Sequence, residues 1–390
     1  FENQLLMACG FSKNTDMLEN PVEVKRKIDK RHRFISPAMS ISYGEPIEML
    51  GSALQYMYAG DGRTYLDCVN NIPHVGHCHP RIVEAGQKQM ALLNTNTRYV
   101  YDSLNEYAEK LLAKFPVSLS KVFFVNSGSA ATDLAVRIAK THTGREKFLV
   151  LDHAYHGNVG SAIDLSPYKF NRKGGKGKPL NTEILGLKAL GFRLKDNAEK
   201  SSKKVPTIPV FPEFPESPHS PYAAFIAESI PGCAGQVVLD KGFMLEQVSL
   251  IREAGGIYIA DEVQNGFARV GKHFWGFELY DVVPDMIILG KPIANGHPMG
   301  AVVCSDALAK SFETGMEFFS SFGGNPVSCE IAKTVLEVIE EEGLQEHAER
   351  VGSFLLQELN SMTSFQLSIL SVQKGLSGRK ETKVLEVRGS

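Results

Sequence analysis

Six short stretches of this sequence are apolar through the whole of their centres: KVFFV (Lys121–Val125), KFLVL (Lys147–Leu151), AAFIAE (223–228), GIYIADE (256–262), DMIILG (285–290) and GAVVC (Gly300–Cys304). A strand with one wet face alternates apolar and polar side chains, so strands without alternation require cover on both faces. Helix-period segments such as 129–140 and 244–254 lie between them. The pattern predicts an α/β fold, a mostly parallel sheet with helices on both faces. Ligands of such sheets lie at the carboxyl ends of the strands. Polar residues gather at five of those ends: Asn126 to Ser129, Asp152 to His156, Glu228, Asp261 to Gln264, and Lys291. The five ends are expected to converge on one crevice.

The remaining segments frame that sheet. A charged opening (25–33) leads to YMYAGDGRTYLDCVN, where Gly60-Asp61-Gly62 is turn chemistry between two strand-like pieces and predicts a hairpin. The Lys-, Ser- and Pro-rich segment 195–220 reads as a surface excursion. From Pro326 to about Asn360 the pattern is helical, and the last residues hint at a strand cut short. The division expected is a large domain at 73–325 and a smaller α+β domain built from the two chain ends, with 1–72 as an N-terminal segment that supplies part of it and 326–390 as its truncated C-terminal portion. Phe1 and Arg388-Gly389-Ser390 resemble neither a natural start nor a natural end, as in a fragment of a longer chain.

Charge narrows the partners. With 42 basic and 44 acidic side chains and a net charge of -2, the chain has no global field to draw nucleic acid or an anionic membrane. A small substrate fits better. No apolar run approaches the roughly 18 residues of a membrane helix, and the start lacks signal-peptide character, so a soluble, cytoplasmic protein is expected. Six widely spaced cysteines without a C-x-x-C predict free, buried thiols in a reducing compartment.

The strand ends carry the chemistry. FFVNSGSAATDLAVRIAK is strand, small-residue turn and helix, and its unpaired amides and positive helix end suit a phosphate, with Gly128 allowing close approach and Ser129 adding a hydroxyl. An ordinary capped helix reads the same way, because the motif matches no nucleotide-loop pattern. Asp261 follows a buried strand, where a lone carboxylate is costly; a protonated pyridine nitrogen is one partner, a turn that satisfies the carboxylate another. Gln264, beyond Val263, can bond a ring substituent. Tyr155 and His156 offer an aromatic face for a flat heterocycle. His74, His77, Cys78 and His79 invite a metal, but adjacent positions cannot all converge on one ion, and no metal is expected. The absence of G-x-S-x-G leaves a serine hydrolase without a motif. Lys291 follows Met286-Ile287-Ile288-Leu289 in a cluster of Gly, Pro, Asn and His, as a loop charge or a nucleophile. Taken together, these parts describe one ligand, pyridoxal 5'-phosphate, with Lys291 forming a Schiff base to its aldehyde.

The set NSGSAATD, LDHAYHGN, IADEVQNGFARVGKHFWGFE, LGKPIANGHPMGA and SFGGNPVSC also resembles the class III aminotransferases of the fold type I pyridoxal-phosphate enzymes, over roughly residues 65–341. Within the class, YLDCVNNIPHVGHCHP, LLNTNTRYV and SPYKF look most like the alanine-glyoxylate-aminotransferase-like branch with phospho-lyases acting on phosphoethanolamine or phosphohydroxylysine. The resemblance implies Lys291 as the imine-forming lysine, Asp261 as partner of the ring nitrogen, and Gln264 as contact to the ring hydroxyl. It implies Gly128 and Ser129 as the phosphate turn, Tyr155 as the stacked aromatic, and Glu228 as a carboxylate near the ring. Ser321 stands where the family usually has a Thr that reaches the cofactor phosphate of the neighbouring subunit, since the family works as a homodimer. Ala130 replaces the usual Glu of the turn, so a local ion pair or cap is expected to be missing. The family continues past VLEVRGS into the rest of a small domain, where many members carry an arginine for the substrate carboxylate.

Two reactions share this machinery. Transamination moves an amino group from an amine or amino acid to a keto acid. A phospho-lyase instead eliminates phosphate and ammonia from a phosphorylated amine, and its pocket needs extra cations, for which Arg98, Lys169, Arg172 and Lys173 are candidates. The transaminase is the primary expectation and the phospho-lyase the alternative. A non-catalytic module of a larger chain is a third reading, opposed by the joint presence of Lys291, Asp261 and Gln264.

Overall fold

The computed structural model describes residues 21–186 and 220–373. The predicted closing strand, and all but the last residue of the surface excursion, lie outside these residues. After a helix at Pro21–Phe34, β1 (Met49–Ala53), β2 (Tyr56–Ala59) and β3 (Thr64–Leu66) form a small antiparallel sheet. The predicted hairpin is its β2–β3 pair, with Tyr58 opposite Thr64.

The main sheet holds β4 (Lys121–Val125), β5 (Lys147–Leu151), β6 (Thr182–Leu185), β7 (Tyr222–Glu228), β8 (Ile257–Asp261), β9 (Met286–Leu289) and β10 (Gly300–Cys304), in the order β4-β10-β9-β8-β7-β5-β6. All six strands expected from their apolar centres are present. The seventh, β6, pairs only with β5 at the sheet edge. Its sequence TEIL places a charge in the second position, which hides it from a search for apolar runs. β10 is antiparallel to both neighbours, with Ala301 opposite both Leu289 and Phe124. Between β9 and β10 there is a single short 3-10 turn, Lys291–Ala294, and no crossover helix of the kind that returns a chain to a parallel strand. β10 therefore begins, at Gly300, on the side where the other strands end.

Alternate residues of each central strand feed two hydrophobic cores. Leu149, Phe225, Tyr258, Ile287 and Val303 face one, while Phe148, Ile226, Ile259, Ile288 and Val302 face the other. The helix Gly128–Thr143 covers the second face with Ala131, Leu134, Ala135 and Ile138. Helices Lys241–Glu253 and Pro326–Glu341 cover the first, through Met244, Val248 and Ile251 and through Val327, Val335 and Ile339. A last helix spans Leu344–Gln373. No helix among the described residues is long and apolar enough to cross a membrane.

The five described cysteines are unpaired. Only Cys304 and Cys329 are buried; Cys68 and Cys78 are exposed, because they lie in the connection between β3 and the helix Pro80–Leu92, outside both cores.

Candidate cofactor and catalytic site

The strand ends enclose a cavity of about 160 Å³, lined by Ser127, Gly128, Ser129, Tyr155, His156, Gly157, Glu228, Asp261, Val263, Gln264 and Lys291. All five predicted strand ends contribute to it.

On the β4 side, Ser127 caps the helix Gly128–Thr143: its Oγ accepts from Ala130 N at 3.1 Å and its carbonyl from Ala131 N at 3.0 Å. The helix thus keeps its Ser127 cap with Ala130 in place, while the contact a Glu side chain would add at that position is missing. The amides of Gly128 and Ser129 have no acceptor among the described residues, so the cavity wall presents free donors at a positive helix end. The turn packs hard against β10; a Cβ on Gly300 would lie 2.4 Å from the Ser127 carbonyl oxygen. Thr132 Oγ1 lies 3.1 Å from the Gly128 carbonyl oxygen and 2.7 Å from that of His156, and Ser129 Oγ accepts from Asn158 N at 3.0 Å. These bonds tie the β4 turn to the one after β5. Sequence reading missed Thr132 and Asn158; a Thr amid the apolar stripe of a buried helix was the one available signal.

At the end of β8, Asp261 is 3% exposed, and its Oδ2 accepts from His156 Nδ1 at 2.7 Å while its Oδ1 accepts from Val263 N at 3.1 Å. The expected pairing of Tyr155 and His156 as one aromatic face is therefore divided. His156 is buried as a brace for Asp261, its backbone N–H anchored on Ser166 Oγ at 2.9 Å, and its Nε2 has no partner among the described residues. Tyr155 lines the cavity wall, and its backbone N–H donates to Glu228 Oε2 at 3.1 Å. Burial pushes the Glu228 carboxyl up to about 7, with His156 opposing and Asp261 reinforcing the rise. Glu262 points away from the cavity and accepts from Ser229 Oγ and from the amides of Gly276 and Phe277, both at 2.8 Å; burial raises it to about 7 as well.

Lys291 opens the 3-10 turn after β9 with φ at +24°. Its Nζ lies 3.4 Å from Gln264 Oε1. The Gln264 carboxamide is backed by Gly232, where a Cβ would stand 2.8 Å from Oε1. Val263 packs on Gly128, whose own added Cβ would meet both Val263 methyls at 3.1 Å.

Other candidates lie elsewhere. Arg98 is exposed, 3.7 Å from Glu317 and stacked 3.9 Å over the Phe319 ring, and does not line this cavity; it belongs to a surface loop rather than a strand end. Ser321 is exposed and outside the cavity. His74 contacts Arg269 at 2.9 Å, His77 contacts Asp67 at 2.7 Å and His79 contacts Glu342 at 3.0 Å, so the three rings diverge to separate partners. Among the described residues no group of three or more His, Cys, Asp or Glu is arranged to hold a metal.

A buried carboxylate, an amine, a hydrogen-bonding amide, an aromatic wall and free amides at a helix end match the ring nitrogen, aldehyde, hydroxyl, ring face and phosphate of pyridoxal 5'-phosphate. Placed at the strand ends of a mainly parallel sheet, they define a fold type I pyridoxal-phosphate enzyme. Comparison with known proteins narrows the class. The family described as Aminotransferase class-III matches residues 49–376, and the chain belongs to that family. A Drosophila melanogaster protein named alanine--glyoxylate aminotransferase 2-like is 44% identical over 342 residues, covering 86% of this chain and 69% of its own. A Caenorhabditis elegans ethanolamine-phosphate phospho-lyase homolog 1 is 35% identical over 349 residues, covering 86% and 74%. The solved structure of an Arthrobacter phospholyase in complex with phosphoethanolamine superposes with a TM-score of 0.75 at 30% identity, covering 87% of this chain and 80% of that one. The protein is an enzyme of pyridoxal 5'-phosphate, related both to aminotransferases and to phospho-lyases.

Proposed function

We propose that the protein transfers an amino group from an amine or amino acid to a keto acid, with Lys291 as the covalent attachment point for the cofactor. The observation that carries this is the meeting of Lys291, Asp261 and Gln264 in one cavity with a helix N-terminus. The cofactor supplies an electron sink for charge on the reacting carbon. The chain supplies the rest. Asp261, oriented by His156, holds the proton on the ring nitrogen, and Gln264 contacts the ring hydroxyl. Gly128 and Ser129 bind the phosphate, Tyr155 and Val263 pack the ring, and Glu228 sits beside Tyr155. The Lys291 amine would be the group placed to take a proton from the substrate carbon and to return it.

The test is the visible absorbance of the purified protein and its turnover with amine donors and keto acids. Both should disappear in Lys291→Ala, and a band that survives the substitution unchanged would remove this reading. Elimination is the second reading, favoured by Lys169 over the Tyr155 ring and Arg172 over the Tyr168 ring, neither of which has a carboxylate within ion-pair distance among the described residues. Phosphate and ammonia released from phosphoethanolamine at turnover rates without any keto acid would replace transamination by elimination.

We further propose a homodimer in the cytoplasm, with residues 73–325 as the cofactor domain flanked by 1–72 and 326–390. Support for the dimer comes from exposed Leu92, Tyr99 and Val100 and exposed Met316, Phe319 and Phe322, two segments joined by Arg98 lying on Phe319. An apolar patch of this kind calls for cover, and Ser321 within it is placed to reach a second subunit. Unpaired thiols, two of them exposed, support a reducing compartment.

A further inference from the structure

The connection after β8 carries Gln264 to the cofactor cavity and, further on, Arg269 to a second cavity of about 480 Å³ that shares no lining residue with the first. Its other walls come from the β1–β2 turn, the segment before the helix Pro80–Leu92 and the start of the helix Leu344–Gln373. The loop that holds Arg269 is fixed at both ends. Phe267 and Ala268 take φ of +62° and +64°, a region that side-chain-bearing residues keep only under constraint. On one side the Phe267 carbonyl lies 2.5 Å from His74 Nε2, and on the other Gly271 packs so closely that a Cβ there would stand 2.6 Å from Glu349 N.

These contacts also settle where the protons lie. A carbonyl oxygen only accepts, so His74 carries its proton on Nε2, and its Nδ1 accepts from Arg269 Nη2 at 2.9 Å. Burial and the Arg269 charge push the His74 ring down to about 3, which keeps it neutral. The same Nη2 donates to the Asn71 carbonyl at 3.0 Å, and its two hydrogens are then used. Nε is buried without a partner, and Nη1 makes no hydrogen bond among the described residues. Both acceptors are neutral, so the charge of a guanidinium that cannot lose its proton is left uncompensated. The acids of the wall do not answer it. Asp67 pairs with His77 at 2.7 Å and Glu342 with His79 at 3.0 Å, and neither is within ion-pair distance of Arg269. His347 lines the same cavity; its Nδ1 accepts from Arg350 Nη2 at 3.0 Å, which leaves an N–H on Nε2 as a further donor.

We propose that this cavity binds a small monocarboxylic acid, with the carboxylate on the Arg269 guanidinium. Charge selects the class. One uncompensated cation matches one negative charge, whereas a phosphate monoester would bring roughly -1.5 to -2 charges into a wall that already holds Asp67 and Glu342. The apolar part of the acid would lie against Leu54, Leu344 and Ala348. The site stands whichever reaction the cofactor cavity performs.

The test is calorimetry of the cofactor-loaded chain with hexanoate, hexanamide and inorganic phosphate. Hexanoate has neither an amine nor a keto group, so it cannot react with the cofactor. It should bind with a Kd of about 1 mM or tighter, and hexanamide and phosphate at least about tenfold more weakly. Arg269→Gln should weaken hexanoate by at least about tenfold. Ala348→Trp, which fills the cavity from another wall and leaves Arg269 in place, should do the same, so the outcome does not hang on the folding of one variant. Hexanoate binding that survives both substitutions would place the acid elsewhere and overturn the proposal. Equal binding of hexanamide, or tighter binding of phosphate, overturns the carboxylate assignment. No binding of hexanoate to the parent overturns it as well, and a lower thermal midpoint in Arg269→Gln would then assign the guanidinium to a carboxylate of the chain itself.

Discussion

At Lys291 the backbone is held at φ +24° directly after a strand that is buried along its whole length. A side-chain-bearing residue in such a region costs roughly 1–3 kcal/mol, a strain that the surrounding packing must hold in place. Lys291→Ala keeps the backbone and removes the amine, so kcat should fall by roughly 10²–10⁴ or more while the thermal midpoint stays within a few degrees of the parent, measured by steady-state kinetics and calorimetry. Asp261→Asn keeps the shape of the His156 contact but loses the charge proposed to face the ring nitrogen. Turnover should drop by roughly 10²–10³, with a smaller change in cofactor affinity; a variant at parental rate would show that the ring nitrogen needs no anion. Glu228 and Glu262 supply a pH dependence with a definite sign. Both carboxyls are raised to about 7 from 4.5 by burial, so between those values the folded protein holds protons that the unfolded chain has released. Their contribution to stability is therefore present below about pH 4.5 and is lost as pH rises through 7. Glu262→Gln, which lies off the cavity, should flatten urea-unfolding stability between pH 5 and 8, and an unaltered slope would contradict the assignment.

The elements meet most tightly where the β4 turn touches β10. A methyl on Gly300 would sit 2.4 Å from the Ser127 carbonyl oxygen, with backbone on both sides and no flexible side chain to yield. Gly300→Ala should destabilise by roughly 1–3 kcal/mol, and because the displaced turn carries the amides proposed to bind the phosphate, cofactor should bind more weakly in a fluorescence titration. Unchanged affinity would separate the turn from phosphate binding. At this scale the sequence was read well where the signal is local. Wholly apolar runs located six strands, and NSGSAATD located a helix start that the structure caps with Ser127. It was read poorly where the signal is relational. GAVVC carries no mark of its direction, which follows from the lack of a crossover helix before it, and TEIL becomes a strand only because β5 offers it an edge. His156 reads as an aromatic beside Tyr155 until β8 brings Asp261 within 2.7 Å.

For the whole molecule, the exposed apolar segments around 92–100 and 316–322 should be covered by a second copy. Sedimentation should give a dimer, and Tyr99→Glu with Phe322→Glu should yield monomers that lose cofactor affinity, because Ser321 lies in the same patch. A parental dimer after both substitutions would place the interface elsewhere. Much of what this protein is was set by the chain alone. The kinds of groups at five strand ends, the buried character of the strands and the position of Lys291 after one of them are local properties, since burial and secondary structure follow from periodicity within a few residues. Only the tertiary structure decided which groups meet. His156 and Asp261 are brought together from the ends of β5 and β8, which are separated in the sheet by β7, and Lys169 comes to lie over the Tyr155 ring. Those encounters depend on strand order and packing over long sequence separations, where side-chain pattern carries no address.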